Sequence, residues 1–297
     1  MPHNFSTRLR EMQLAIPSMR IERRFTLWRH IQKSRRYIRH CLAHDIQPVI
    51  VYSHPKTASR SIEHSLQKTS SIYPIHTHVL QQEHFTWSDF RKTPLNNKGI
   101  APDSQPQQWA IQKEIIKMGK PLKTISLVRD PVAVSVSWFF FGLQRWLGFQ
   151  HKIDPGKLDF EELCSFFMNS FNHDGMLNWF DEEWNKTIGI NIFDSSFNQN
   201  MGHSTYTQGS NSAIVISTHI SDAEKSKALS DFLEMDIPPV TKENTGLSRL
   251  SPKVYDQLKE SMKMNERLVK RLLESRYATF FFSKEQIEQF ETNWSDS

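Results

Sequence analysis

Cysteine is nearly absent: the 297 residues hold two, Cys41 and Cys164, far apart and outside any CxxC or Cys/His ligand spacing. A disulfide framework and a zinc ribbon are thereby excluded, and a reducing compartment fits. Long apolar runs are missing too. No stretch reaches the roughly 18 residues of a membrane span, and the aromatic run from Trp138 to Phe149 is broken by Gln144 and Arg145. The first residues carry no apolar core of a signal peptide, so a cytoplasmic protein is expected, peripheral to a membrane at most. No internal repeat or low-complexity tract occurs, which sets solenoids and disordered arrays aside.

What is present is enough apolar material for a core. Hydrophobic residues make up 38% of the chain and charged residues 23%, well outside the composition of disordered chains. The length suits one α/β domain with an appendage. The net charge is +5, and the excess gathers at the start. Residues 8 to 39 hold Arg8, Arg10, Arg20, Arg23, Arg24, Arg29, Lys33, Arg35, Arg36 and Arg39 against Glu11 and Glu22. This reads as a basic helical extension over residues 1–46, suited by its charge to an anionic membrane surface, a nucleic acid or an acidic substrate. It reads equally as a solvated helix packed through Ile21, Phe25, Leu27 and Trp28.

From residue 47 the pattern changes. The run Val49 to Tyr52 predicts a strand, and Ser59 to Lys68 a helix behind a polar turn. A second strand is predicted over Ser71 to Ile75, an exposed loop over 94–108, and a helix over Trp109 to Met118. A strand over Leu122 to Val128 ends at Arg129-Asp130-Pro131 and leads into a helix rich in Val, Trp and Phe. Further helices are predicted near 159–169, 176–187 and 284–292, with an amphipathic segment from Pro252 to Ser275. Short strands are predicted near 190–193 and 213–217. The alternation implies a single α/β domain over residues 47–294, a central parallel sheet flanked by helices. Ligands of such sheets bind at the carboxyl ends of the strands, where both polar turns lie.

The first turn, Ser53 to Ser61, places Lys56, three hydroxyl residues and Arg60 between a strand and a helix. Amide groups at a helix N-terminus bind anions, and a lysine beside them adds a full charge, so Lys56, Thr57, Ala58, Ser59, Arg60 and Ser61 read as a phosphate cradle. A Walker A loop needs glycines before its lysine, and none precedes Lys56 at the required places. Arg129-Asp130-Pro131 by itself reads as a local ion pair opening a helix.

The string Pro55-Lys56-Thr57-Ala58-Ser59 resembles the 5′-phosphosulfate loop of sulfotransferases that use 3′-phosphoadenylyl sulfate (PAPS), especially the glycan enzymes acting on uronic acid 2-hydroxyls. Many members have glycine where Ala58 stands and threonine where Arg60 stands. The string from Ile125 to Phe139 resembles their 3′-phosphate motif, in which a strand-terminal arginine and a serine two helical turns on face the same way, here Arg129 and Ser137. His76-Thr77-His78 resembles the His-x-His of the uronyl enzymes. The resemblance implies a phosphate-loop-like sulfotransferase fold, His78 as general base and His76 as its support, with Glu83 and Glu114 in reserve. It also implies Lys56 at the departing nucleotide, PAPS as the donor and no required metal.

Leu177 to Asp181, Gly189 to Phe193 and Tyr277 to Glu285 resemble bacterial capsular polysaccharide synthesis proteins, so the resemblance runs from about residue 48 to 294. Lys242, Asn244 and Thr245 read as a polar loop before the C-terminal amphipathic segment, and the resemblance implies that it closes over the nucleotide. The acceptor it implies is a glycan, and no nucleic-acid partner is expected. Two other readings stay open: a nucleotide-dependent kinase, and a non-catalytic binding protein that keeps the fold. The aromatic cluster Trp138, Phe139, Phe140, Phe141, Trp146 and Phe149 is expected in the core.

Overall fold

A computed structural model describes residues 17–81, 104–146, 160–241, 260 and 265–294. Two compact units emerge. One joins residues 1–47 to 79–120; the other holds residues 48–78 and 121–297.

In the first unit, helix α1 (Pro17–Ala43) packs on a helix formed by Ser104–Glu114. Ile38 and Cys41 are buried, whereas Trp28, expected to pack inward, is 54% exposed. Two α1 arginines one turn apart turn toward Glu114: Arg35 Nε and Arg39 Nε donate to its carboxylate at 2.5 and 2.6 Å. The residues expected to begin a helix at Trp109 are already helical from Ser104, with Pro106 in the first turn, where a missing N–H is harmless. Gln112 fastens the unit by donating from Nε2 to the carbonyl of Leu80.

The second unit is a mixed α/β body around a five-stranded, mostly parallel sheet. Its strands are β1 (Gln47–Tyr52), β2 (Ile72–Thr77), β3 (Lys123–Val128), β4 (His203–Gln208) and β5 (Asn211–Ser217), in the order β2-β1-β3-β5-β4. β1 pairs with β3 and β3 with β5 in parallel, whereas β4 joins β5 antiparallel. The expected all-parallel sheet is therefore corrected at one edge. β4 escapes a reading for apolar runs because its sequence, HSTYTQ, buries only Tyr206, as an edge strand facing water does. Conversely, the strand expected near 190–193 is a short 3-10 turn over Ile192–Asp194. Asn191 turns it by accepting the Phe193 N–H at 3.2 Å, a local bond that competes with the ladder.

β1, β3 and β5 are buried almost throughout, as apolar central strands covered on both faces must be. On one face, Val49, Val51, Ile125, Leu127, Ile214 and Ile216 pack against Ile62 and Leu66 of α2 (Ser59–Leu66) and Leu229 and Leu233 of the helix Asp222–Leu233. Another side chain of β1, Tyr52, stacks on Trp184 at 5.4 Å, meets Trp179 edge-on at 5.0 Å and donates its hydroxyl to the buried carboxylate of Glu183. The amphipathic segment expected from Pro252 to Ser275 has a helix start within it. Asn265 caps a helix over Glu266–Leu273 by accepting the Leu268 N–H at 3.1 Å. No helix among the described residues is long and apolar enough to cross a membrane.

β1 leads through α2 to β2 on one side, while its other neighbour is β3, so the strand order reverses between β1 and β3. The carboxyl ends of those two strands flank the crevice where open α/β sheets take their ligands. Behind β3, Asp130 opens the helix Pro131–Trp146: its Oδ1 accepts the Val132 N–H at 2.8 Å and its Oδ2 the indole N–H of Trp294 at 2.7 Å. The carboxylate is spent on the helix and the indole, so Asp130 makes no hydrogen bond to Arg129 in the structure. Asp130→Ala removes a cap and leaves a buried indole N–H unpaired; we expect a loss of about 2–3 kcal/mol in urea unfolding. A change under about 0.5 kcal/mol would show that the cap contributes little.

Candidate functional site

The site assembles where β1 and β3 end. After Tyr52 the chain closes a tight loop from its own hydroxyls: Ser53 Oγ and Thr57 Oγ1 lie 2.6 Å apart, and Thr57 Oγ1 donates to the His54 carbonyl at 2.8 Å. Thr57 and Ser53 are buried, so these hydroxyls shape the loop from within. Lys56 and Ala58 both take left-handed backbone conformations, with φ of 72° and 61°. Such a φ costs a residue with a Cβ about 1 kcal/mol, and many resembling sequences place glycine at the second position. Ala58 is also the residue before α2, and it supplies no side-chain oxygen to the first turn. The Ser61 N–H already reaches the Ala58 carbonyl at 3.2 Å, so the earlier amides of that turn, at Ser59 and Arg60, are the donors an anion would use.

From β3, Arg129 Nη1 donates to the Lys56 carbonyl at 3.0 Å. One guanidinium thus ties the second strand end to the crown of the first loop. The backbone of Arg129 is itself held: Tyr277 Oη accepts its N–H at 3.1 Å and donates to its carbonyl at 3.2 Å. Thr218 N–H donates to the Val128 carbonyl at 2.8 Å, drawing the end of β5 to the same place. Ser137 is half-buried on the helix that follows.

β2 runs through His76 and Thr77 before it stops, two residues later than expected, and brings both histidines to the loop. The Ser53 N–H reaches the Thr77 carbonyl at 3.4 Å. His78 Nδ1 lies 2.7 Å from the Ser53 carbonyl, and because a carbonyl only accepts, Nδ1 carries the proton and Nε2 keeps its lone pair. His76 stands edge-on to it at 4.6 Å, with Nε2 at 2.7 Å from Ser59 Oγ and Nδ1 at 3.8 Å from the Glu63 carboxylate. Glu63 in turn meets Arg60 at 3.3 Å on an exposed face. Both nitrogens of His76 thus face protein groups. Burial, aided by the Arg60 and Lys56 charges, pushes His78 down to about 4; burial first, with His78 and Arg60 behind it, takes His76 to about 3. Both rings are neutral near pH 7.

Of the reserve bases, Glu83 lies outside the described residues, as do Lys242, Asn244 and Thr245. Glu114 is held below the usual carboxylate range, chiefly by its hydrogen bond from Arg39, and is a poor proton acceptor. No group of three or more His, Cys, Asp or Glu among the described residues is arranged to hold a metal ion.

Several positioning residues were beyond a reading of short motifs. Trp179 donates from Nε1 to the His78 carbonyl at 3.1 Å, and Tyr277 clamps Arg129 from 148 residues away. His54 packs edge-on to Trp138 at 5.9 Å and gives its Nδ1 proton to the Pro55 carbonyl at 2.8 Å. Its place one residue before Pro55-Lys56-Thr57 was the only signal available.

Residues 150–283 match a family model described as "putative capsular polysaccharide synthesis protein". The match bears out the capsular part of the resemblance over a shorter stretch than residues 48–294. It contains Trp179, Glu183 and Tyr277, which brace the site, and leaves out the loops at 53–61 and 129–137. No curated protein matches the chain. No solved structure matches it either.

The buried histidines couple stability to pH. Burial takes His54 to about 3, as it does His76, whereas an unfolded histidine titrates near 6.5. Between those values the unfolded chain binds more protons, so stability is complete above about pH 6.5 and falls as the pH drops toward 4. The fall is at most about 1.4 kcal/mol per pH unit for each histidine. Urea midpoints at pH 7 and pH 5 measure it; equal midpoints would contradict the burial of these rings.

Proposed function

We propose that this protein transfers a sulfuryl group from PAPS to a hydroxyl of a carbohydrate acceptor, through a phosphate-loop-like sulfotransferase fold. The observation that carries the reading is the bond from Arg129 to the Lys56 carbonyl, because it unites two anion-binding elements at one topological switch point. Lys56 and the amides that begin α2 would take the 5′-phosphosulfate, while the remaining donors of Arg129, with Ser137, would take the 3′-phosphate. The Thr57 and Ser59 hydroxyls already serve the loop and His76, which leaves amides and cations as the principal anion contacts.

The chemistry follows the in-line pattern of phosphoryl transfer, in which positioning and charge do most of the work. His78 Nε2 accepts the proton of the acceptor hydroxyl, whose oxygen forms a bond to sulfur. The bond from sulfur to the bridging phosphate oxygen breaks, and 3′-phosphoadenosine 5′-phosphate leaves with the negative charge that Lys56 offsets. His76 and Ser59 fix the ring beside the base. The family match places residues 150–283 near polysaccharide synthesis, and that supports a glycan as acceptor.

Calorimetric titration with 3′-phosphoadenosine 5′-phosphate, beside ADP and ATP with Mg²⁺, tests the nucleotide. We expect selective binding of the 3′-phosphorylated nucleotide, weakened roughly 10- to 100-fold in Lys56→Ala and in Arg129→Ala, the worth of one charge-assisted hydrogen bond. Preference for ATP would make the protein a kinase-like enzyme, and no nucleotide binding would leave a non-catalytic one. His78→Gln separates chemistry from binding. It should keep the nucleotide affinity and lower sulfuryl transfer by about 10²- to 10⁴-fold, and unchanged transfer would reject His78 as the base.

A further inference from the structure

A cavity of about 270 Å³ opens beside the loop, between the helix Pro131–Trp146 and residues 166–176, and His54 forms part of its wall. Its size falls just under the roughly 300–1,000 Å³ of pockets that enclose drug-sized ligands, so it suits a single ring. The wall is largely aromatic: Trp138, Phe166 and Phe171 line it. Phe139, the next residue on the helix, is fully buried among Phe167 and Phe171, so the aromatic cluster divides between a core part and a part that faces this space.

The polar groups are few and differ in what they have left to give. His173 is consumed, with Nδ1 at 2.6 Å from Ser135 Oγ and Nε2 donating to the Phe167 carbonyl at 2.7 Å. His54 spends Nδ1 on Pro55, so its Nε2 retains an accepting lone pair. Asn172 spends Oδ1 on the amides of Asp174 and Gly175 at 3.1 and 3.2 Å, which leaves its Nδ2 donors. Ser170 adds an exposed hydroxyl at the rim. No Asp, Glu, Lys or Arg is among the described residues lining the cavity, and the neighbouring Asp174 is paired with Arg271 at 3.6 Å. Arg271, whose charge is felt at His173, is held by Asp174, so a carboxylate or sulfate brought here would lose water and meet a cation already paired.

We propose that this cavity binds one uncharged pyranose ring of the acceptor, its C–H face on Trp138 and its hydroxyls on His54 Nε2, Asn172 Nδ2 and Ser170. The word acceptor rests on the sulfotransferase reading; the ring's neutrality rests on the cavity alone. An apolar ring would waste the three polar groups, and a uronic acid would place its carboxylate against aromatic carbon. The site therefore selects against the acidic sugar that the His-x-His resemblance suggests.

Saturation-transfer NMR on the full chain without nucleotide tests this, with methyl β-glucopyranoside and methyl N-acetyl-β-glucosaminide beside methyl β-glucuronide as probes. We expect the neutral glycosides to bind through their ring protons and the glucuronide at least about tenfold more weakly. Gly175→Leu should fill the cavity and abolish the signal; a Cβ there meets only Asn172 Nδ2, at an ordinary 3.7 Å. Trp138→Ala provides the same readout from the opposite wall. Equal or stronger glucuronide binding, no binding of either neutral glycoside at millimolar concentration, or full binding in both variants would overturn the proposal. Glycoside binding that persists where 3′-phosphoadenosine 5′-phosphate fails to bind would remove the proposed reaction and leave the pocket standing.

Discussion

Everything at the strand ends depends on a backbone carbonyl that points toward a guanidinium. Lys56 can present its carbonyl to Arg129 because its own φ is positive, and the next turn to Ala58 is left-handed as well. The loop accepts about 1 kcal/mol of strain at each position, and its buried Ser53 and Thr57 hydroxyls help hold it there. In return the crown of the loop and the end of β3 become one rigid edge. Arg129 can perform this duty because Asp130, the nearest carboxylate in sequence, is committed to Val132 and Trp294.

The histidines extend the same economy of groups. The Ser53 carbonyl fixes the proton of His78, and Ser59, the first residue of α2, meets His76. One loop thus sets its own left-handed crown, the tautomer of His78 and the orientation of His76. Burial keeps both rings neutral, and Lys56 and Arg60 add to that for His78. In the proposed reaction the cations that lower the proton affinity of His78 would be offset once an anionic donor lay between them.

Much of the sheet was legible because central parallel strands are short runs rich in Val, Ile and Leu: Val49 to Tyr52 and Leu122 to Val128 announce themselves. The loop at Lys56 was legible because cations and hydroxyls between a strand and a helix suit few other purposes. β4 was not, since an edge strand buries a single side chain, and neither was the turn at Asn191, where one amide side chain overrides an apolar run. Tyr277 and Trp179 lie in strings that carry the capsular resemblance, but what they hold could not be read from those strings. Their roles are hydrogen bonds to backbone across 148 and 101 residues, two from Tyr277 and one from Trp179, which local pattern does not encode. His54 was hidden for the opposite reason, lying so close to Lys56 that it passed for part of the loop.

The indole of Trp294 closing on Asp130 spans 164 residues, the longest of these ties. A ribosome adding about 5–20 residues per second needs roughly 10–30 s to cover that distance. Throughout that interval the strand ends emerge without their brace, and Arg129 waits for Tyr277 as well. The nascent chain therefore presents these cations and histidines before their partners exist. Chains cut short before Tyr277 hold every residue of the loop and lack the groups that brace it.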